Sequence, residues 1–580
     1  MNLEDSGAAN DRNTLQATAN GTNAANAMVI DADKLETNSD ASIGIISNVQ
    51  TALGDEVSVS ARATGGAELP EYRGTINDVI TTGIGGDIHG ASLSTSENKV
   101  IAQASGNSSD NSLSVKANTM DLNGGMGNKA DNARISVDLS QNVFGIQKQF
   151  GISNAQLGAG KVTASLLNNG DATNADQSAS ILTDVYGDVI HSTITSGENV
   201  LSASAVSNTA TNNFAMSGNS VSATTGALNM QVTNADVSSN IGLAGHDGVD
   251  GGPFDFHFQG ENLGHSGSAL TGGMLYIENA SSFNRAEKAA LEDDGWALNG
   301  DRYEKDAAGT PMTGQEYVNF TNNGMDGSLT ADSVPAVPSD GGVTIAVDGS
   351  TLRLDNNLVV GAARGNVATN GLKVDANALA DGFKNEDATA KTTNGLDTQA
   401  NQTVANFQTV EAPRLTSDVY GSFGISTAEA ATISGSTLLV NGNEQNSVAV
   451  GNTATNSNDL QAATGVMTTA TVVSRQESGA AINASSTQDI FAPAAVDGST
   501  VEMSENKNVS LGIQNDVVNE LTVSANTIDT VRPGKAIANA ILSGFNEAGD
   551  RLEVDDGVED TVLETPPGQL GEEAFNGIEL

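Results

Sequence analysis

The stretch NKVIAQASGNSSDNSLSVKANTM, residues 98–120, decides the fold, because the chain repeats it. The same frame reads NTLQATANGTNAANAMVIDADKL at 13–35 and NLVVGAARGNVATNGLKVDANAL at 357–379. Six copies open at Asn13, Asn98, Asn199, Asn357, Asn443 and Asn506 and align without a gap. Internal repetition of this kind is the signature of stacked architectures.

Within a copy the small and apolar residues fall on every second position, as in Val359, Gly361 and Ala363, then Ala368, Leu372, Val374 and Ala376. Period two is a strand signal. The parity flips once, at Gly106-Asn107, Gly365-Asn366 or Gly451-Asn452. Gly and Asn tolerate positive φ, so the flip predicts a tight corner or a bulge. A second break falls at Ala117-Asn118, Ala376-Asn377 and Ala525-Asn526. Each frame is therefore expected to be two short strands joined by a corner, followed by another corner. Upstream stand Gly349-Ser350-Thr351, Gly435-Ser436-Thr437 and Gly498-Ser499-Thr500, two of them inside an identical AVDGST, so a further strand feeds each unit.

Asn recurs at fixed frame positions, as in Asn199, Asn208 and Asn212 or Asn357, Asn366 and Asn370. Stacked strands place these residues above one another, where their amides can hydrogen-bond as a ladder. Supplying turn geometry is the other role open to them, and the two are compatible.

Aromatic residues make up 4% of the 580 and hydrophobic residues 38%. Side chains this small predict a narrow core, one strand pair wide. The formal charge is −46, from 71 acidic and 25 basic residues, which disfavours nucleic acid and anionic membrane as partners. There is no cysteine, so no disulfide, thiol nucleophile or thiolate metal site. No apolar run is long enough to span a bilayer. The first thirty residues lack a basic start followed by an apolar block, so the expectation is a leader removed ahead of Met1 or a protein not exported by that route.

The interval between Asn199 and Asn357 is the longest, and residues 245–333 differ in style. The expected organisation is a loose arm (1–12), a β-repeat region (13–244), an inserted module (245–333), a second β-repeat region (334–532), and a C-terminal cap with an acidic tail (533–580). In the module, Asn284-Arg285-Ala286-Glu287 reads as a helix start, with Gly295 as the stop, predicting a helix over 285–294. Trp296 and Tyr303 flank Asn299-Gly300 at hairpin spacing. The segment KAIANAILSGF, from Lys535, fits either a helix or a last coil of the stack.

Residues GHDGVDGGPFDFHF gather His246, Asp247, Asp250, Asp255 and His257 as candidate metal ligands, with calcium the cation that the many carboxylates also suit. The spacing matches no known metal motif, and Gly-rich Asp loops are also ordinary turns. No nucleophile elbow, zinc-protease motif or phosphate-binding loop occurs, so no enzyme is expected. Were the chain to cleave glycans, Asp184 and Asp418, in the paired segments LTDVYG and LTSDVYG, are the first carboxylates to test.

The strings SASAVSNTATN (202–212), SVAVGNTATN (447–456) and VVGAARGNVATN (359–370) resemble the strand repeats of bacterial surface fibre proteins, namely curlins and curlin-like holdfast anchor proteins. The resemblance covers about a third of the chain. Curlin repeats are shorter and carry a regular Gln that these frames lack, and the inserted module has no counterpart. The resemblance implies export, an extracellular fibre and attachment. The reading is thus an all-β, elongated, right-handed β-solenoid with a small helix-plus-hairpin insertion. It would act as a structural subunit of an extracellular fibre or surface adhesin, partnered by itself through strand addition at its ends, with polysaccharide or a cell surface as further candidate partners. A viral tail fibre or tailspike, and a glycan-cleaving solenoid enzyme, are the alternatives.

Overall fold

A computed structural model describes residues 3–36, 42–52, 58–62, 80–84, 87–122, 134–138, 143–166, 181–185, 188–242, 254–258, 274–278, 297–299, 302–306, 344–380, 389–391, 396–411, 414–427, 431–492, 496–528 and 537–545. Among these, every regular element is a β-strand. The chain passes six times through the same sequence of sheets. Three of the sheets are six-stranded, parallel and ordered as the chain is. The first stacks Leu3–Glu4, Ile88–His89, Val189–Ile190, Thr344–Asp348, Ala431–Ser434 and Val496–Asp497. The second begins with Gly7–Ala9 and ends with Thr500–Ser504. The third, the long sheet, contains the repeated frames, from Thr14–Glu36 to Lys507–Ala525. A fourth, the return sheet, carries the chain back through strands such as Phe150–Leu166, Thr225–Ile241 and Gln402–Val410. Within residues 1–12, expected as a loose arm, Leu3–Glu4 and Gly7–Ala9 are the first strands of two sheets: Leu3 pairs with Ile88 and is buried, and Ala8 pairs with Leu93.

The frame is one strand, not two. Lys99–Asp121, Val200–Ser222 and Leu358–Ala380 each run unbroken for 23 residues. At Gly365-Asn366 the inward parity flips without a corner, and pairing with the pass before skips from Arg364 to Asn366. One residue per pass thus leaves the ladder at the same height, and the bulges stack. Gly365 does not have positive φ; it is there for space. A Cβ at Gly365 would sit 2.5 Å from the Gly451 carbonyl oxygen of the next pass, and one at Gly451 would lie 2.4 Å from that of Gln514.

The true corners lie just before the frame and just before the second sheet. Arg12, Glu97, Glu198, Asn356, Gly442 and Glu505 occupy one position in successive passes, and all have φ between 56° and 66°. Asp5, Gly90, His191, Gly349, Gly435 and Gly498 hold the other corner, again with positive φ. From the third pass on, each such residue is followed by a Ser or Asn whose side-chain oxygen receives the backbone N–H of the pass before: Ser192 N–H donates to Ser350 Oγ (2.9 Å), and Asn199 N–H to Asn357 Oδ1 (3.1 Å).

Burial follows from this path. One apolar cluster lies between the first half of the frames and the ends of the return strands, with Leu201, Ala203, Val237 and Leu415 in it. A second lies between the second half of the frames and the beginnings of the return strands, with Phe214, Val374, Phe150 and Val404. A third fills the outer side of the return sheet, where Met230 and Phe407 meet Ile135 and Leu396. The last two belong to an antiparallel four-stranded sheet built from Arg134–Asp138, Val143–Ile146, Thr389–Lys391 and Leu396–Gln399, which no periodicity had indicated. Lys148 is buried beneath it, with Nζ donating to the Ala400 carbonyl and to Thr403 Oγ1 (3.0 Å for the latter).

Within the expected module, Phe254–Phe258 runs parallel in the return sheet beside Ile181–Val185 and Arg414–Thr427. Ala297–Asn299 and Arg302–Asp306 pair antiparallel as the expected hairpin, joined by Met274–Glu278. The expected helix over 285–294 lies outside the described residues. Ile537–Phe545, open between a helix and a last coil on sequence, is a strand paired with Ala470–Ser478.

Candidate functional site: a buried amide seam and the end strands

Between the first two apolar clusters runs a polar seam made of side-chain amides. Two of its rows come from the middle of the frames, and a third amide row lines the corner that opens them. In one, Asn26 Nδ2 donates to Asn111 Oδ1 (2.9 Å), Asn111 to Asn212 (2.8 Å), Asn212 to Asn370 (2.8 Å), Asn370 to Asn456 (2.7 Å) and Asn456 to Asn519 (2.8 Å). In the next, Thr22 donates to Asn107, Asn107 to Asn208 and Asn208 to Asn366 (both 2.8 Å), then Asn366 to Asn452 and Asn452 to Asn515. The corner row joins Asn13 to Asn98 (2.9 Å), Asn199 to Asn357 (2.9 Å), Asn357 to Asn443 (3.0 Å) and Asn443 to Asn506 (2.9 Å), with Asn98 linked to Asn199 through its backbone N–H (3.0 Å). Corner geometry and laddering are thus both present at this row.

The return sheet faces these rows with two of its own. Asn48, Asn154, Asn229 and Asn406 form one, at 2.7 to 2.9 Å, and it ends on Ser474 Oγ. Gln156 donates to Gln50 (2.7 Å), Gln231 to Gln156 (2.7 Å), Gln408 to Gln231 (2.8 Å) and Gln476 to Gln408 (2.6 Å). The frame amides donate toward later passes and the glutamines toward earlier ones, so the two rows have opposed dipoles. The sheets are also bonded to each other across the seam. Gln231 Nε2 donates to the Val367 carbonyl (3.0 Å), and Asn366 Nδ2 to the Thr409 carbonyl (2.9 Å). A buried amide left unpaired would cost desolvation in full, so each row is satisfied only while its neighbours are present.

The glutamine row had a sequence signal, N-x-Q, in SNVQ (47–50), SNAQ (153–156), LNMQ (228–231) and ANFQ (405–408). A Gln thus recurs at one position of successive return strands. Gln476 Oε1, the last acceptor in the row, is buried with no partner among the described residues.

The end strands differ from the rest. Exposed large hydrophobic residues among the described ones fall in the first pass (Leu15, Val29, Ile43, Val49) or the last (Val501, Met503, Val509, Val518, Ile528), apart from Met467. Met28 and Ile30 at one end, and Leu521 and Val523 at the other, are only partly buried against the second cluster. At the corner of the first pass, exposed Arg12 is held by Glu97 through two hydrogen bonds of 2.9 and 3.0 Å. That bond lowers the Glu97 carboxyl and raises the Arg12 guanidinium from their ordinary pKa values.

Of the candidate metal ligands, His246, Asp247 and Asp250 lie outside the described residues. Asp255 and His257 stand two apart on Phe254–Phe258, described here by backbone alone. Among the described residues no group of three or more His, Cys, Asp or Glu could hold a metal ion. Asp184 and Asp418 are not stacked: Asp184 pairs with Gly83 and His257, whereas Asp418 pairs with Asn240 and Ser485. Burial raises the Asp418 carboxyl, with nearby Arg414 opposing it. Burial likewise raises the Tyr420 phenol, whose hydroxyl donates to Asp489 (2.6 Å) and is held protonated by that carboxylate. Compared with protein-family models, curated proteins and solved structures, the chain matches none.

Proposed function

We propose that the chain is a continuous β-solenoid and serves as a structural subunit of an extracellular or cell-surface fibre or adhesin, joined to further copies by strand addition at its ends. The observation that carries this reading is the Asn row from Asn26 to Asn519, one unbroken line of hydrogen bonds through all six passes. A frame of stacked 23-residue strands places its backbone hydrogen bonds along the stacking direction, where they bear load together. The parallel, in-register sheets support a mechanical role, since their stacked backbone hydrogen bonds resist extension together. The curlin-like strings support a place on the cell surface. High negative charge keeps strand-rich edges from indiscriminate association, and divalent cations would screen neighbouring fibres. Any specific contact with polysaccharide or a cell surface falls to the segment inserted after the third pass.

Electron microscopy of the purified full chain, with and without calcium, tests the reading. Filaments whose width equals one subunit are expected. Compact trimers would favour the tailspike alternative, and isolated particles at every concentration would remove the fibre reading.

A further inference from the structure

The two ends of the stack are complementary in charge, in amide polarity and in apolar content, and from this we infer a defined junction between copies. The last pass of one copy, Lys507–Ala525, adds in register to the first pass of the next, Thr14–Glu36, with Glu505 of one seated on Arg12 of the other. This rests on the fibre reading above and specifies the contact that such a fibre would use.

The register follows from the frame. Each internal step pairs equal frame positions: Asn111 with Asn212, Asn212 with Asn370 and Asn456 with Asn519. Continuing that rule across a junction puts Asn519 on Asn26, Leu521 on Met28 and Val523 on Ile30. The apolar pairs are the partly buried ones at the two ends of the second cluster, so a second copy would complete their burial. The Asn row is directional. Every link donates toward the later pass, from Asn26 at the first to Asn519 at the last. The same polarity carried over a junction has Asn519 of one copy donate to Asn26 Oδ1 of the next. Two copies therefore meet donor to acceptor in one orientation only, head to tail; head to head would set oxygen against oxygen.

Charge selects the same pairing. Arg12, Glu97, Glu198 and Glu505 occupy one corner position in different passes, all with positive φ, and Arg12 is the sole cation there. Inside the chain it already holds Glu97. At a junction it would lie between Glu97 on one side and Glu505 on the other, the only basic residue of the row between two carboxylates. The first sheet sets Asp497 against Glu4, a like-charged contact at the periphery that the Arg12 contact must outweigh.

The test uses charge reversal in the full chain. Both positions are exposed, so neither substitution disturbs the core. Arg12→Glu alone sets two carboxylates against each other at every junction, and Glu505→Arg alone sets two guanidinium groups against each other. Each should raise the critical concentration for filament formation about tenfold, read by sedimentation and microscopy. An equal mixture of the two variants should restore assembly toward the wild-type concentration, because each end then meets its opposite charge. Wild-type levels of assembly in both variants separately, or no rescue on mixing, would overturn the junction while leaving the fibre reading standing. Wild-type chain that never assembles would overturn both.

Discussion

At the scale of single residues, the seam is the most demanding part of the molecule. Asn208 is fully buried; its Nδ2 lies within hydrogen-bonding distance of Val232 O, Thr233 Oγ1 and Asn366 Oδ1, and its Oδ1 accepts from Asn107. Alanine there takes the acceptor from one Asn107 N–H and removes the donor that Asn366 Oδ1 receives from the pass before, and should cost about 2–4 kcal/mol, seen as a lower urea midpoint. Asn208→Asp should cost more, because a carboxylate cannot donate to Asn366 and would be charged in the core. Asn519→Ala, in the last pass and only half-buried, removes a ladder bond to one neighbouring pass instead of two and should cost less than Asn208→Ala. Lys148 gives a pH signature. Burial lowers its pKa well below the ordinary value, so over the window between the folded and unfolded pKa values the unfolded chain binds more protons, and stability rises with pH. The melting temperature followed by circular dichroism should therefore rise as the pH climbs toward the ordinary lysine pKa, and Lys148→Met should flatten that slope. A wild-type profile that falls over this range would show that Lys148 is not what governs it.

Elements are where local pattern and neighbouring passes compete. The alternation in the frames and the recurrence of Asn were legible because the long strands have one face inward and one outward, so side-chain parity is written directly into residue type. The unbroken strand was not legible. Gly-Asn is turn chemistry when read along one chain, and only the carbonyl of the next pass explains why Gly365 is glycine without positive φ. The return strands escaped for a different reason. Gln402–Val410 is buried at every residue because the antiparallel sheet covers its outer face, and a strand buried on both faces loses its alternation. That covering sheet joins strands from distant parts of the chain, pairing Arg134 with Gln399, a contact that no local periodicity reports. The bulge can be tested directly. Gly365→Ala pushes a Cβ against the Gly451 carbonyl and should lower stability by about 1–3 kcal/mol in urea unfolding. Gly371→Ala meets nothing closer than 3.4 Å and should stay within about 0.5 kcal/mol of wild type.

For the molecule as a whole, each pass touches chiefly the pass before and the pass after, so stability is a sum of nearest-neighbour terms and the ends, with one neighbour each, are weakest. The amide rows sharpen this gradient, because along its row an interior Asn has a ladder neighbour in the pass on either side and a terminal one has a ladder neighbour on one side. Hydrogen exchange of the unassembled chain should therefore show the slowest amides in Val200–Ser222 and Leu358–Ala380 and the fastest in Thr14–Glu36 and Lys507–Ala525, even though all four are long strands of the same sheet. Assembly through the proposed junction would convert end passes into interior ones. In filaments, protection should rise in Thr14–Glu36 and Lys507–Ala525 together and remain unchanged in the central passes. A gain at one end alone would mean that copies meet through some other surface, since a head-to-tail junction must order both partners at once. A gain spread evenly along the chain would mean lateral packing of whole stacks, which the charge of −46 opposes and which added salt should then promote.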